Sequence, residues 1–299
     1  MIRVDKQRLT TDSAKSMPDR LKIVRNVEAL RAKVASWRKQ EMRSALVPTM
    51  GALHDGHLRL VEQGLRIADR VVVTIFVNPA QFALGEDLDA YPRTERQDVE
   101  KLRQAGAHMV FAPARAEMYP EGFCTSLAMQ GPAKAGLEDK CRPAFFDGVA
   151  TVVSKLFIAA DCDYAMFGEK DYQQLKVVTA MARDLSIPTT VIGVPTVRAE
   201  DGLALSSRNA YLSQAERATA TVLHATLQEL ASDIRAGKNI ARSCTSAKNR
   251  LIKAGFKPDY VEARAAETLA PVKSMSETEI RILTAAWLGK TRLIDNIGL

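Results

Sequence analysis

Val47-Pro48-Thr49-Met50-Gly51-Ala52-Leu53-His54-Asp55-Gly56-His57 is the stretch on which the reading of this chain turns. An apolar run of strand length, Ser44–Pro48, leads into it, and a segment of helical period, Gly56–Ala68, leads out of it. Strands that feed helices through such turns build parallel sheets, whose ligands gather beyond the carboxyl ends of the strands. There the first helical turn offers free N–H groups and a partial positive charge, which suits phosphate. Gly51 and Gly56 let the backbone approach such a group closely. His54 and His57 are spaced so that both imidazoles can face the same phosphates, donating hydrogen bonds as charge builds on a departing pyrophosphate. A metal pair or two incidental histidines are the competing readings. These two are, however, half of the chain's four histidines, set between two glycines at a strand-to-helix junction. No further His, Cys or paired carboxylate lies nearby in the sequence to complete a ligand set.

Outward from this stretch, apolar runs of strand length alternate with helical periods from about Leu21. The strands expected are Ser44–Pro48, Val71–Val77, Met109–Ala112, Asp163–Phe167 and Thr189–Val194, rich in β-branched and aliphatic residues. Helices are expected at Gly56–Ala68, Thr94–Ala105, Gly148–Ala159 and Asp171–Leu185, with Asn26 capping a further one that carries Leu30, Val34 and Trp37 on one face. This pattern predicts an α/β fold with a doubly wound, Rossmann-like parallel sheet over residues 21–195. After Pro195 come long helical stretches, Gln214–Ala236 and Ala241–Ala254, and then strand-like runs at Tyr260–Ala265, Glu279–Leu288 and Arg292–Ile297. Lys257-Pro258-Asp259 and Leu288-Gly289-Lys290 supply turns, so residues 196–299 read as a smaller C-terminal α+β lid domain.

With 46% hydrophobic and 26% charged residues, the chain belongs with globular proteins rather than disordered or fibrous ones. Its +7 charge is unevenly placed: residues 1–43 carry twelve Lys or Arg against five Asp or Glu, and the remainder balances. Nucleic-acid binding by the whole protein therefore loses its main support, leaving a local basic face at Lys22, Arg25, Arg31, Lys33, Arg38 and Lys39. Residues 1–20 are polar and aperiodic, and read as a loosely ordered extension. Cys124, Cys141, Cys162 and Cys244 form no CxxC pair, as fits free thiols in a reducing compartment. No apolar run reaches the roughly 18 residues needed to span a bilayer, so no membrane association and a cytoplasmic location are expected.

Three further constellations accompany the first. In Gly168-Glu169-Lys170-Asp171, at a second strand-to-helix junction, Lys170 is placed for ATP phosphates, Asp171 can cap the helix or face Mg²⁺, and Gln174 follows one turn later. The same four residues alone would be an ordinary polar helix start. Leu205-Ser206-Ser207-Arg208 follows the last parallel strand and combines hydroxyls with a permanent charge suited to a phosphoryl transition state, although it could also be a turn of small polar residues. Asn78 and Gln81, in Phe76-Val77-Asn78-Pro79-Ala80-Gln81-Phe82, are neutral groups beside apolar surface, suited to a small hydroxylated acid or simply ending a strand.

The ordered set resembles the pantothenate synthetase (pantoate–β-alanine ligase) family, within the HxGH nucleotidyltransferase group, over Leu21 to Leu299. Tyr91-Pro92-Arg93-Thr94, Arg142-Pro143 with Gly148-Val149-Ala150-Thr151-Val152-Val153, and Thr291-Arg292-Leu293-Ile294-Asp295-Asn296 belong to the same likeness. The resemblance implies a ligase that joins pantoate to AMP and then lets the amine of β-alanine displace AMP. It implies that Met50, Gly51, Ala52, Leu53, His54, Asp55, Gly56, His57, Gly168, Glu169, Lys170, Asp171, Val197, Leu205, Ser206, Ser207 and Arg208 hold ATP. It places pantoate on Gln81 and Gln174 and β-alanine near Gln81, and gives His57 a proton-donor role; we assign His54, His57, Lys170 and Arg208 chiefly to charge stabilisation. Mg²⁺ and a homodimer are further implications. Phe145 stands where many members carry His, and Leu205 where some carry Met. The alternatives are another HxGH adenylyltransferase acting on a cofactor precursor, and a nucleotide- or RNA-binding relative without turnover.

Overall fold

Alternation along each central strand explains why the sequence shows continuous apolar runs rather than a polar–apolar rhythm. In Ser44–Thr49, Ala45 and Val47 enter one core and Leu46 the opposite one; in Arg70–Ile75, Val71 and Val73 oppose Val72 in the same way. The computed structural model describes residues 21–82, 86, 88–274 and 278–299, so the basic extension read at residues 1–20 lies outside the described residues. Its strands are β1 (Lys22–Val24), β2 (Ser44–Thr49), β3 (Arg70–Ile75), β4 (Met109–Phe111), β5 (Tyr164–Gly168), β6 (Thr190–Val194), β7 (Lys257–Ala265), β8 (Ile280–Leu288) and β9 (Thr291–Gly298). Its helices are α1 (Val27–Arg38), α2 (Asp55–Ile67), α3 (Glu95–Gln104), α4 (Arg115–Met118), α5 (Glu138–Cys141), α6 (Phe145–Ala160), α7 (Tyr172–Asp184), α8 (Gln214–Ala220), α9 (Val222–Arg235) and α10 (Ile240–Lys253).

The first six strands form one parallel sheet in the order β1-β4-β3-β2-β5-β6. The chain winds outward from β2 through β3 to β4, then returns to lay β5 against the other side of β2. That reversal opens a crevice beyond the carboxyl ends of β2 and β5, the switch point at which α/β sheets bind ligands. Helices α1, α6 and α7 cover one face, and α2 and α3 the other. The remaining strands form an antiparallel sheet, β7-β8-β9, backed by α9 and α10 around Leu223, Leu227, Leu251 and Ile282. The expected fold class is therefore the observed one: a doubly wound α/β sheet joined to a smaller α+β unit.

Asn26 caps α1 as expected, its Oδ1 accepting from Ala29 N at 2.8 Å, and Leu30, Val34 and Trp37 are buried. The basic face is in part engaged locally: Arg25 pairs with Glu95, Arg38 with Asp161, and the Lys33 ammonium lies 5.4 Å from the Trp37 ring centroid. All four cysteines are free. Among the described residues, no helix is long and apolar enough to cross a membrane.

Several expectations are corrected. Strand β1 has no counterpart among the expected strands; three residues with only Val24 buried carry too little periodicity to announce an edge strand. The helix read at Gln214–Ala236 is two, parting at Thr221, whose hydroxyl donates back to Ala218 O at 2.9 Å. Lys257-Pro258-Asp259 is not a turn but the start of β7. Pro258 is tolerated because β7 is an edge strand and its register shifts between Pro258 and Tyr260, while the turn lies earlier, at Gly255 with φ +90°. Asp171 occupies the cap position of α7 but makes no capping bond with its side chain.

Candidate active site

The loop after β2 is shaped by two residues in the left-handed region, Gly51 (φ +84°) and Ala52 (φ +51°). Asp98, fully buried on α3, holds it there: Ala52 N and Leu53 N donate to its two carboxylate oxygens at 3.0 and 2.8 Å, and the Thr94 hydroxyl adds a third bond at 3.0 Å. These backbone donors thus serve the protein's own carboxylate. The loop delivers His54 to the cap of α2, where its Nδ1 accepts from Gly56 N at 3.1 Å, while His57 Nδ1 accepts from His54 N at 3.3 Å. A nitrogen that accepts from a backbone N–H carries no proton, so each neutral ring bears its proton on Nε2. The rings lie 4.1 Å apart between centroids. Position 56 must be glycine, because a Cβ there would fall 2.8 Å from the His54 ring. Burial, with the positive charge of Lys170, lowers the His54 pKa to about 4; burial, His54 and Lys170 lower that of His57 to about 3. Two neutral N–H donors therefore stand at the start of α2.

Beyond β5 the chain makes one tight turn, Glu169–Asp171, before α7. Lys170 is largely buried, with Nζ 4.0 Å from an Asp171 carboxylate oxygen, and Glu169 turns away to Arg281 at 3.0 Å. The third segment is a hairpin. Leu205 N donates to Val197 O at 3.0 Å, Arg198 bridges to Ala204, and Gly202 (φ +90°) makes the bend. Ser206 Oγ accepts from Arg208 N at 3.3 Å, and the Ser207 hydroxyl lies 3.4 Å from that of Tyr91.

Beside these lies a neutral amide cluster. The sequence suggests Asn78 as a ligand group, but its amide is saturated internally. It donates to Gln81 Oε1 at 3.0 Å and Gly148 O at 3.2 Å, and accepts from Tyr119 OH at 2.7 Å and Ala80 N at 3.3 Å. Its effect is to turn Gln81 so that Nε2, the donor end, is presented, with Met50 Sδ at 3.2 Å. Arg142 donates to Gln81 O at 3.0 Å, pairs with Glu86 at 2.6 and 2.7 Å, and lies 3.7 Å from the ring centroid of Phe145. At the position where the resemblance leads one to expect histidine, this chain therefore supplies an apolar platform for a guanidinium.

One cavity of about 700 Å³ joins all of this. His54, His57, Lys170, Arg208, Gln81 and Gln174 line it together, with Met50, Gly56, Gly168, Asp171, Val197, Leu205, Ser206 and Ser207. Gly51, Ala52, Leu53, Asp55 and Glu169 do not. Sequence reasoning missed Asp98, Tyr119 and the roles of Asn78 and Gly148. A signal for Asp98 existed, since it falls on the stripe of Val99 and Leu102 where an apolar residue is expected.

A family model described as Pantoate-beta-alanine ligase matches residues 22–298. The chain belongs to that family. Pantothenate synthetase of Rhodopseudomonas palustris is 55% identical to it over 277 residues, covering 93% of this chain and 98% of the relative. The crystal structure of pantothenate synthetase from Thermus thermophilus superposes with a TM-score of 0.87 at 44% identity, covering 93% of this ligase and 99% of that chain. A pantoate-beta-alanine ligase from Francisella tularensis, complexed with beta-gamma ATP and beta-alanine, gives 0.79 at 31% identity, with coverages of 93% and 97%. Family membership matches the resemblance read from the motifs, and the alternative of another adenylyltransferase or a relative without turnover falls away.

Proposed function

We propose that this ligase binds ATP against His54, His57, Lys170 and Arg208 and pantoate against Gln81 and Gln174, and joins them in two steps. A carboxylate oxygen of pantoate attacks the α-phosphorus of ATP, forming an acyl-adenylate as the bond to pyrophosphate breaks. The amine of β-alanine, near Gln81, then attacks the acyl carbon, forming the amide and releasing AMP with loss of the amine proton. Adenylation is required because a carboxylate oxygen is a poor leaving group. The protein's contribution is alignment and charge: two Nε2–H donors, an ammonium and a guanidinium stabilise negative charge as it moves onto pyrophosphate. Within this reading Met50, Gly56, Gly168, Asp171, Val197, Leu205, Ser206 and Ser207 wall the nucleotide, whereas Gly51, Ala52, Leu53, Asp55 and Glu169 act through the loops they shape.

Mg²⁺ suits the donor set. Asp171 is a carboxylate on the cavity wall beside Lys170, and Mg²⁺ commonly binds through one or two carboxylates together with substrate phosphates. Asp171 and the phosphate oxygens would hold the ion, which neutralises phosphate charge when bound. A homodimer, action in the cytoplasm, and a domain boundary between Pro195 and Thr196 complete the reading. The free thiols support a reducing compartment, and the dimer rests on the family resemblance.

The observation that carries the reading is the convergence of four phosphate-seeking side chains and two amides on one cavity at the sheet's switch point. Purified protein is expected to exchange labelled pyrophosphate into ATP only when pantoate is present, and to form AMP and pantothenate once β-alanine is added. Exchange driven by a different acid and not by pantoate would remove the substrate assignment; absence of exchange with any acid would remove the adenylation step. Alanine at His57, Lys170 or Arg208 is expected to slow exchange by about 10²–10³-fold, as for loss of one transition-state donor.

A further inference from the structure

Two neighbouring residues of β9 reach in opposite directions and touch two different active-site loops. Asp295, with 2% of its side chain exposed, takes both guanidinium nitrogens of Arg198 at 2.7 and 2.9 Å. The same guanidinium donates to Gly202 O at 3.1 Å and Asn296 O at 3.3 Å, so it ties the bend of the Val197–Leu205 hairpin to β9. Asn296, also buried, faces the other way, and its Nδ2 donates to the carbonyls of Glu169 at 2.9 Å and Lys170 at 2.8 Å. Its Oδ1 is fixed in turn by Arg281 Nε at 2.6 Å, and Arg281 also holds Glu169. The amide is thereby committed to one orientation, with its donor end on the turn that presents Lys170. Strand alternation makes this possible, since consecutive residues leave a strand on opposite faces.

We propose that Asp295 and Asn296 are positioning residues that set the relative placement of the Lys170 ammonium and the Arg208 guanidinium about the triphosphate. The two cations do not stand on a shared element: Lys170 follows β5, and Arg208 follows the hairpin after β6. Through β9 both loops are referred to one rigid strand, paired along its length with β8. The inference rests on the adenylation reading above. In that reading pantoate sits on Gln81, after β3, and on Gln174, which follows the clamped turn but is held by the backbone bonds and buried face of α7. Disturbing the clamp therefore alters charge stabilisation in the first step more than pantoate binding.

Asn296→Ala and Asn296→Asp separate this role from simple packing. Aspartate keeps the size of the side chain and its bond from Arg281, but presents an acceptor where two carbonyls need a donor. Both variants are expected to lower the maximal rate of pantoate-dependent pyrophosphate exchange by about 10- to 100-fold. The KM for pantoate should be unchanged, and aminolysis of chemically prepared pantoyl-adenylate by β-alanine, which involves no triphosphate, should be retained. Asp295→Asn, which removes the charge facing Arg198, should show the same split. Unchanged exchange, or exchange and aminolysis falling by the same factor, would overturn the proposal. Should Asn296→Ala fail to fold, Asn296→Asp carries the test through its retained Arg281 bond. Failure of the unsubstituted protein to exchange with pantoate would instead remove the adenylation reading.

Discussion

His54 and His57 illustrate how a residue's chemistry follows from its local bonds. Each Nδ1 is committed to a backbone N–H, and burial keeps the rings neutral, with pKa values lowered to about 4 and about 3. In the unfolded chain the same imidazoles titrate near 6.5. Between that value and the folded ones the unfolded state binds more protons. The stability these residues contribute is therefore complete above about pH 6.5 and declines as pH falls toward 4 and 3. In an NMR titration the ring resonances of His54 and His57 should show no inflection from pH 8 to about 5.5, since both rings stay neutral throughout that range. A one-proton transition centred near 6.5 at either ring would contradict neutral donors. The histidines, Lys170 and Arg208 were legible in the sequence because each stands in a short polar or glycine-bearing segment beside a strand end. Asp98 was not, because the N–H groups it holds lie 45 and 46 residues away. Asn78 was read as a ligand group because its bonds to Tyr119 and Gly148, which turn it to aiming Gln81, are distant in the chain.

At the scale of elements, close approach is the controlling constraint. Helix α6 passes so near the turn after β3 that a Cβ on Gly148 would lie 2.1 Å from Ala80 O, a backbone atom that cannot swing aside. Gly148→Ala must push the helix outward, at about 1–3 kcal/mol or more by the usual measure of overpacking. The shift strains the bond from Asn78 to Gly148 O and with it the aim of Gln81, so the KM for pantoate should rise alongside a lower melting temperature. Asp98→Ala tests the loop before α2. It strands the N–H groups of Ala52 and Leu53, at about 2–5 kcal/mol together, and both urea unfolding and the KM for ATP should report it. The element boundaries that the sequence hid, at β1, Thr221 and Pro258, are those where a single hydroxyl or an edge position overrides propensity.

Across the whole molecule, helix α5, which precedes the second half of the parallel sheet, is joined to the antiparallel sheet by a partly buried cluster of ions. Arg292 on β9 donates to both oxygens of Glu138 at 2.8 Å and to Asp259 at 2.8 Å, with side-chain exposures of 13% for Arg292 and 9% for Glu138. Tyr260 OH completes the coordination of Glu138 at 2.8 Å. Arg292→Met leaves two carboxylates without their cation and is expected to cost about 3–5 kcal/mol in denaturant unfolding. The double variant with Glu138→Gln should recover part of that loss. Composition and pattern foretold both sheets, but this seam was invisible in the sequence, because Glu138 and Arg292 are ordinary surface residue types until the fold brings them together.

The strand order has a kinetic counterpart. Strand β2 sits at the middle of its sheet, yet its second neighbour is β5, so Ala45 must find Tyr164 across most of the intervening domain. Closing so long a loop makes such pairing slow. As a ribosome extends the chain, β2 and the valine-rich β3 emerge well before β5 exists to cover the flank of β2, and for that interval the nascent protein presents a sticky apolar ribbon. Refolding yield is therefore expected to fall as protein concentration rises, and added chaperone to restore it, which dilution-refolding assays would check.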